Sequence, residues 1–228
     1  KKRINIPLIA DIHFNYKLAV EAIKQGVDGL RINPGNIGRR GNVIKVVTAA
    51  KEKSIPIRIG INSGSIAENI LKKYGHPTAE GMVESAIEHI RILEEHDFYD
   101  IVISLKSTDI AMTLKAHEIM AEKVNYPFHI GITEAGTSWA GTIKSSVGIG
   151  SLLSRGYGDT IRISLTGDPV EEVKVGWQIL QSLGLRERGP NIISCPTCGR
   201  TNIDLIKLTE DVERAVSNID KAITIAVM

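Results

Sequence analysis

The chain has 228 residues, of which 43% are hydrophobic and 24% charged, and its formal net charge is +2. This charge is too small to argue for nucleic acid or a membrane surface, and no apolar run approaches the roughly 20 residues of a membrane-spanning helix. Because the first residues also lack the apolar core of a signal peptide, we expect a cytoplasmic protein with no nucleic-acid or membrane partner.

The first half of the chain alternates predicted strands with predicted helices. Apolar residues alternate with polar ones in four segments, which predicts strands at residues 6–13, 29–33, 56–62 and 100–106. Apolar residues recur at helical spacing between them, which predicts helices at residues 17–25, 42–53, 78–96 and 109–123. This order predicts right-handed crossovers and a parallel sheet.

The second half continues the plan and then changes it. Residues 128–134 and 161–166 predict two more strands, and the segment between them is a glycine-rich helix. Asp168 is a predicted cap for the next helix, which we expect to end at Gly184. From residue 191 onward, a helix near 209–220 and a strand at 222–228 indicate the start of a smaller α+β domain. We therefore expect domains at residues 1–190 and 191–228.

The polar residues within the strands favour a closed barrel over an open sheet. Strands buried on both faces of an open parallel sheet are nearly all apolar. Here one face of nearly every strand is polar, whereas Ile12, Ile32, Ile59, Ile103, Ile130 and Ile163 share the opposite face. We predict an α/β fold, a TIM-type (β/α)₈ barrel with six βα units, and expect about two further units ahead of residue 1.

Four cationic side chains fall on the predicted inward faces of four strands, and they define the candidate binding site: Arg31, Arg58, Lys106 and Arg162. Asn33, Asn62, Ser104 and Ser164 accompany them. The acids Asp11 and Glu134 are too few to neutralise four cations, although a structural ion network is the alternative. Diphosphate is the natural ligand, because guanidinium groups bind its oxygens in pairs and turns at Gly35, Gly64 and Gly136 add N–H groups.

Further polar residues at the strand ends are candidates for chemistry. His129 and Thr133 share a face near the predicted mouth of the barrel, and Asp11 lies beside His13. Glu134 is a candidate acid or base, or a partner of an arginine. A buried structural histidine and structural pairing of Glu134 are the alternatives. We expect four other histidines to lie at the surface (His76, His89, His96 and His117), and Trp139 and Trp177 to pack in the interior.

The two cysteines form a single C-x-x-C motif, Cys195 and Cys198. This motif is compatible with half a zinc site, a dithiol redox pair or two ligands of an iron-sulfur cluster. A disulfide framework is disfavoured. Both metal interpretations need further ligands, which we expect beyond Met228 or on another chain.

Several motifs together resemble those of the 4-hydroxy-3-methylbut-2-enyl diphosphate synthase family. They are ADIHF at 10–14, RINPGNIG at 31–38, RIGIN at 58–62, SLKS at 104–107, TEAG at 133–136, GTIKS at 141–145, GDTIRISLT at 158–166 and CPTCGR at 195–200. They extend over nearly the whole chain, and the set is far more specific than any one motif.

The resemblance implies an iron-sulfur oxidoreductase of isoprenoid biosynthesis. Such an enzyme opens the ring of 2-C-methyl-D-erythritol 2,4-cyclodiphosphate reductively, with loss of water, to form 4-hydroxy-3-methylbut-2-enyl diphosphate. It also implies a [4Fe-4S] cluster with Cys195 and Cys198 as ligands and a further Cys and a Glu beyond Met228, flavodoxin or ferredoxin as electron donor, and a homodimer. The 228-residue chain alone is then expected to be inactive.

The resemblance also distributes roles over the candidate residues. It implies that Asn33 and Asn62 assist five residues that bind the diphosphate: Arg31, Arg58, Lys106, Arg162 and Ser164. Asp11, His129, Thr133 and Glu134 lie nearer the reacting carbons, with Glu134 delivering a proton. The rival hypothesis is a phosphate-binding transferase similar to dihydropteroate synthase, with a structural zinc at the cysteines. A non-enzymatic protein that binds phosphoanions is a third possibility.

Overall fold

A computed structural model describes residues 3–33 and 36–228. Its strands are β1 (Ile9–Ile12), β2 (Gly29–Ile32), β3 (Ile57–Asn62), β4 (Ile101–Lys106), β5 (His129–Gly131), β6 (Thr160–Arg162), β7 (Pro190–Ser194) and β8 (Ile223–Val227). Its helices are α1 (Tyr16–Lys24), α2 (Arg40–Glu52), α3 (Glu68–Tyr74), α4 (Ala79–Glu94), α5 (Ile110–Ala121), α6 (Ser138–Leu153), α7 (Pro169–Ser182) and α8 (Leu205–Val216), with a short 3₁₀ helix at Ser63–Ser65.

The first six strands follow one another in space as they do in sequence. Parallel ladders join β1, β2, β3 and β4 in that order, and another joins β5 to β6. A single parallel bridge between Ile103 and Phe128 connects the two groups. The α/β barrel architecture predicted from the sequence is confirmed in this order of parallel strands and intervening helices.

The run of six strands is strongly curved. In a flat sheet the first and sixth strands would lie roughly 24 Å apart, at about 4.8 Å per strand. Instead, Nη1 of Arg162 on β6 lies 3.5 Å from a carboxylate oxygen of Asp11 on β1. The polar face is therefore the concave face, as a barrel requires, although no ladder joins β6 to β1 within residues 3–33 and 36–228.

The apolar face of the strands packs against the outer helices and forms the core. Ile32, Ile59, Ile103 and Ile130 are fully buried, and Ile163 is nearly so, whereas Ile12 on the first strand is half-buried. The helices α1 and α2 lie side by side, as do α4 and α5, and α5 and α6. The predicted division of each strand into a polar face and an apolar face is confirmed.

Capping side chains set where several helices begin. The side chain of Asn15 accepts a hydrogen bond from the first turn of α1, that of Thr78 from α4 and that of Asp109 from α5. The predicted caps of α7 are also present: Asp168 accepts from the Val170 N–H at 2.9 Å, and Gly184 lies beyond the helix with φ +67°.

The structure differs from the local predictions at four points. The helix α3 was not predicted, because its seven residues show too little apolar periodicity, and α8 begins at Leu205 rather than near Thr209, because Asp204 caps it. His89 and His117 are buried rather than at the surface. Trp139 is 80% exposed and does not pack in the interior.

Contacts between residues divide the chain into two compact units, Lys1–Gly176 and Trp177–Met228. In the second unit, β7 and β8 form a parallel pair and α8 connects them. Cys195 directly follows β7, and its N–H donates to the carbonyl of Val227 at 3.1 Å. None of the helices in residues 3–33 and 36–228 is long and apolar enough to cross a membrane.

Candidate functional site

Arg31 and Arg162 converge on one carboxylate at the concave face. The register of β1, β2 and β3 places Asp11, Arg31 and Arg58 level with one another. Arg31, which is 7% exposed, donates from Nη1 to Asp11 at 2.9 Å and from Nη2 to the carbonyl of Gly60 at 3.2 Å. Arg162 pairs with the other oxygen of the same carboxylate. Asp11 thus ties the last of the six strands to the first.

Lys106 and Arg58 lie within the electrostatic field of the same group. The pKa of Lys106 is lowered to about 7, chiefly by burial and also by the charges of Arg162, Arg58 and Arg31, against the opposing effect of Asp11. Burial also lowers the pKa of Arg58, which Asp11 raises and the two other arginines lower. Neither cation forms an ion pair in the part of the chain that the structure describes. Four cations therefore share one nearby carboxylate, and the site has excess positive charge.

His129 is held neutral beside these cations. Its side chain is buried, and burial lowers its pKa to about 2, with Lys106, Arg58 and Arg162 as the next largest causes. Its Nδ1 lies 2.8 Å from Oγ1 of Thr160 on the neighbouring strand. Its Nε2 is buried and has no hydrogen-bonding partner among the described residues. One ring nitrogen is consequently fixed by the protein, and the other is buried without a partner among the described residues.

Glu134 lies beyond the end of β5, where it is exposed. Its backbone has φ +52°, in the left-handed region that residues other than glycine rarely adopt. Oε2 accepts a hydrogen bond from Oγ1 of Thr108 at 3.4 Å, and the same hydroxyl lies 3.3 Å from the carbonyl of Thr133. Among the described residues Glu134 forms no ion pair with an arginine, so its carboxylate remains available at the mouth of the barrel.

The amide and hydroxyl residues are brought to the same end of the strands. Asn33 is buried and donates to Oγ of Ser65 at 3.1 Å, and that hydroxyl donates to the carbonyl of Asn62. Ser104 is buried within β4, and Ser164 is half-buried just after β6. Gly64 lies in the 3₁₀ helix and Gly136 precedes α6, whereas Gly35 lies outside the described residues.

The sequence-based search missed two residues of this site, Gly60 and Thr160. Gly60 lies between Arg58 and Asn62 on the concave face and touches the Arg31 guanidinium. A glycine inside a strand often marks a close approach, so the signal was present. Thr160 was missed because the sixth strand was predicted to begin one residue later.

The cysteines lie in a short exposed loop of the second unit. Hydrogen bonds from the backbone and side chain of Arg200, and from Thr201, lower the pKa of Cys198. The N–H of Cys198 donates to Oγ1 of Thr201 at 3.2 Å. Two accessible thiols, one inclined to ionise, suit a pair of metal or cluster ligands. No group of three or more His, Cys, Asp or Glu residues that could hold a metal occurs in the described ranges, so the loop contributes two ligands at most.

Solved structures of barrel enzymes share this fold at low sequence identity. A dihydropteroate synthase from Stenotrophomonas maltophilia has a TM-score of 0.53 and 13% identity, over 80% of this chain and 71% of that one. A type I 3-dehydroquinate dehydratase from Clostridium difficile has a TM-score of 0.51 and 15% identity, over 78% and 70%. At these identities the likeness shows the fold alone, so it gives no support to the transferase hypothesis.

Curated relatives match the sequence far more closely. A 4-hydroxy-3-methylbut-2-en-1-yl diphosphate synthase (flavodoxin) from Caldanaerobacter subterraneus subsp. tengcongensis is 60% identical over all 228 residues, which are 64% of its own length. The protein of the same name from Clostridium perfringens is 59% identical over 99% of this chain and 65% of its own. The chain thus spans a little less than two thirds of these relatives, and the resemblance inferred from the motifs is confirmed.

Two family descriptions match the chain in succession. The GcpE TIM-barrel domain matches residues 1–177, and the GcpE protein C-terminal domain matches residues 191–228. The first covers the strands that carry the cation site, and the second covers both cysteines. Because the first match alone extends over more than half of the sequence, the chain belongs to the GcpE family.

Proposed function

We propose that this chain forms the substrate-binding part of an enzyme that converts 2-C-methyl-D-erythritol 2,4-cyclodiphosphate to 4-hydroxy-3-methylbut-2-enyl diphosphate. The observation that carries the proposal is the concave face on which Arg31, Arg58, Lys106 and Arg162 share the single carboxylate of Asp11. An excess of cations, two of them buried, is costly without a counter-anion, and a cyclic diphosphate supplies two adjacent phosphates. Residues 1–190 would bind the substrate, and residues 191–228 would begin the domain that holds the cluster.

The cationic residues bind and orient the diphosphate. Arg58 and Lys106 form no ion pair with the described residues, so both side chains are available to pair with phosphate oxygens. The Ser164 hydroxyl, the Asn62 amide and Ser104 complete the contacts. Arg31 and Arg162 contribute their charge while Asp11 holds them in place. Geometry fixed before the ligand arrives lowers the entropy cost of binding.

The neutral groups lie where the carbon skeleton would extend. His129 would lie beside the phosphates, and its buried Nε2, which lacks a partner in the described structure, would reach the substrate only after a small movement of the ring. The reaction removes one hydroxyl of the skeleton as water, which requires a proton at the departing oxygen. Glu134 would deliver that proton from its protonated carboxyl group, because the side chain is exposed at the mouth and, among the described residues, is hydrogen-bonded only to the Thr108 hydroxyl. Thr133 and Asp11 lie at the same end of the strands.

A [4Fe-4S] cluster would supply the two electrons of the reaction, one at a time. The Cys195 and Cys198 thiols fit two of its ligands, since both are exposed and hydrogen bonds lower the pKa of Cys198. The remaining ligands would come from residues outside those described here. We further propose flavodoxin as the electron donor, in keeping with the names of the relatives, and a homodimer as the working assembly.

The proposal is tested with the full-length protein, prepared without oxygen. Iron and acid-labile sulfide are measured first, and turnover of the cyclic diphosphate is then followed with reduced flavodoxin as donor. We expect about four iron and four sulfide per chain, and formation of the linear diphosphate. Stoichiometric zinc without sulfide, or binding of the substrate without reductive opening, would reject the reductase in favour of a non-redox phosphate-binding protein.

A further inference from the structure

Gly60 leaves a space on the concave face that the Arg31 guanidinium fills. Gly60 lies in the middle of β3, level with Ser104 on the next strand. A Cβ added there would lie 2.2 Å from Nε of Arg31, 2.7 Å from Nη2 and 2.8 Å from Cζ. All three separations are too short for unbonded atoms. The guanidinium therefore occupies the volume that any side chain at position 60 would need.

This space allows Arg31 to bridge three strands. Arg31 lies on β2, between Asp11 on β1 and Gly60 on β3. Its Nη1 donates to the Asp11 carboxylate at 2.9 Å, and its Nη2 donates to the Gly60 carbonyl at 3.2 Å. With 7% of the residue exposed, Arg31 has little room to adopt another position. Moving its guanidinium away from β3 would break the bond to Gly60 and disturb the pair with Asp11.

A second inward glycine lies beside the other cations, but its contacts differ in kind. A Cβ at Gly131 on β5 would lie 2.5 Å from the backbone carbonyl of Arg162 and 3.4 Å from Cε of Lys106. A substitution there would push two strands apart. At Gly60 the obstructed atoms belong to the end of one flexible side chain, so a substitution displaces Arg31 and leaves the strands paired.

We propose that Gly60 is a positioning residue of the diphosphate site and acts through Arg31. Its missing side chain fixes the guanidinium against Asp11, in the orientation that a diphosphate meets. This inference rests on the function proposed above, because it assigns Gly60 to the anion site of that function. It predicts that Gly60 affects anion affinity only while Arg31 is present.

The first experiment compares Gly60→Ala with the unmodified protein, with inorganic diphosphate as the probe. Calorimetry should show affinity weakened roughly 10- to 100-fold, the range expected when a charged hydrogen bond is lost. Gly150→Ala is the matched control, because a Cβ at Gly150 on α6 meets nothing within 4 Å, and its affinity should be unchanged. Equal affinities for Gly60→Ala and the unmodified protein would overturn the inference.

A double-mutant cycle separates positioning from a general structural effect. With Arg31 present, Gly60→Ala should lower both the affinity and the melting temperature measured without ligand. In an Arg31→Ala background, Gly60→Ala should cause no further loss of either. Equal losses in both backgrounds would show that Gly60 does not act through Arg31 and would overturn the inference.

Failure of the function and failure of this inference give different results. If the unmodified protein does not bind inorganic diphosphate, the proposed function and the anion-site role of Gly60 both fall, whatever the melting temperatures show. If the unmodified protein binds and the cycle shows no coupling, only the role of Gly60 falls.

Discussion

The cation site and the cysteine loop are built in opposite ways. The cation site collects side chains from β1, β2, β3, β4 and β6, and its central contacts join residues far apart in sequence, such as Arg31 with Asp11 and Arg162 with Asp11. Around Cys198 the contacts to Arg200 and Thr201 are local, and both thiols are exposed. Burial shifts the pKa of Lys106 strongly, whereas hydrogen bonds alone lower that of Cys198. A site assembled from distant strands is tuned by the whole fold, and a local loop is tuned by its own sequence.

The largest expected effect comes from replacing the cysteines, which should affect the cluster without affecting the cation site. In the full-length protein, Cys195→Ser or Cys198→Ser should reduce iron and sulfide to background and abolish turnover, because serine is a poor cluster ligand. The affinity for inorganic diphosphate should stay unchanged, since neither cysteine belongs to the strands that carry the cations. Metal analysis and calorimetry on the same preparations measure both quantities. Thr197→Ser is the control, and full iron content in Cys195→Ser would contradict the ligand assignment.

The next effect concerns Arg58, one of the two site cations that form no ion pair among the described residues. Arg58→Ala should weaken diphosphate binding by about 2–5 kcal/mol, because a half-buried charge that pairs with the ligand is lost. The free energy of unfolding should not fall, since removing Arg58 relieves repulsion from Arg31 and Arg162. Calorimetry and urea denaturation give the two values.

Arg162→Ala provides a second loss of diphosphate affinity to compare with that of Arg58→Ala. Its side chain is 54% exposed and pairs with Asp11, so solvent screens its charge and the affinity loss should be smaller. The surface arginine Arg214, which pairs with Asp211 on α8, is the control and should have no effect on affinity. An affinity loss for Arg58→Ala no larger than that for Arg214→Ala would remove Arg58 from the site.

The pH dependence of diphosphate binding should reflect the protonation of Lys106. Its pKa of about 7 in the free protein means that the ammonium loses its proton above neutral pH. A bound anion stabilises the protonated form, so binding takes up a proton and affinity should fall as pH rises above about 7, by up to about 1.4 kcal/mol per pH unit. In Lys106→Arg this contribution should vanish, while the titration of the ligand itself is common to both proteins. Identical pH profiles by calorimetry would contradict the assignment.

The smallest expected effect concerns stability rather than binding. Burial lowers the pKa of His89 to about 4, from an ordinary value of 6.5. Between pH 6.5 and 4 the unfolded state therefore binds a proton that the folded state does not. The free energy of unfolding should decrease as the pH is lowered through this window. His89→Gln should reduce the loss between pH 7.5 and 5.5 by about 1.4 kcal/mol in urea denaturation. The exposed His76→Gln should leave that loss unchanged, and an equal loss in both variants would argue against a neutral buried His89.

The sequence alone is sufficient to predict the alternation of strands and helices, because periods of two and of about 3.6 residues are visible in the pattern of apolar side chains. It also determined which face of each strand is polar, and hence that Arg31, Arg58, Lys106 and Arg162 lie on one surface. The cysteine motif could also be recognised in the sequence, because its two cysteines are separated by only two residues.

How the charges are shared is visible only in the three-dimensional structure. Whether Asp11 reaches Arg162 depends on the curvature of six strands, which no local pattern encodes. The neutral state of His129 depends on burial beside four cations, and the burial of His117 depends on packing against Phe128. The role of Gly60 appears only when the path of the Arg31 side chain is known. Periodicity records which way a side chain points, whereas pKa values and ion pairs depend on distances between residues remote in sequence.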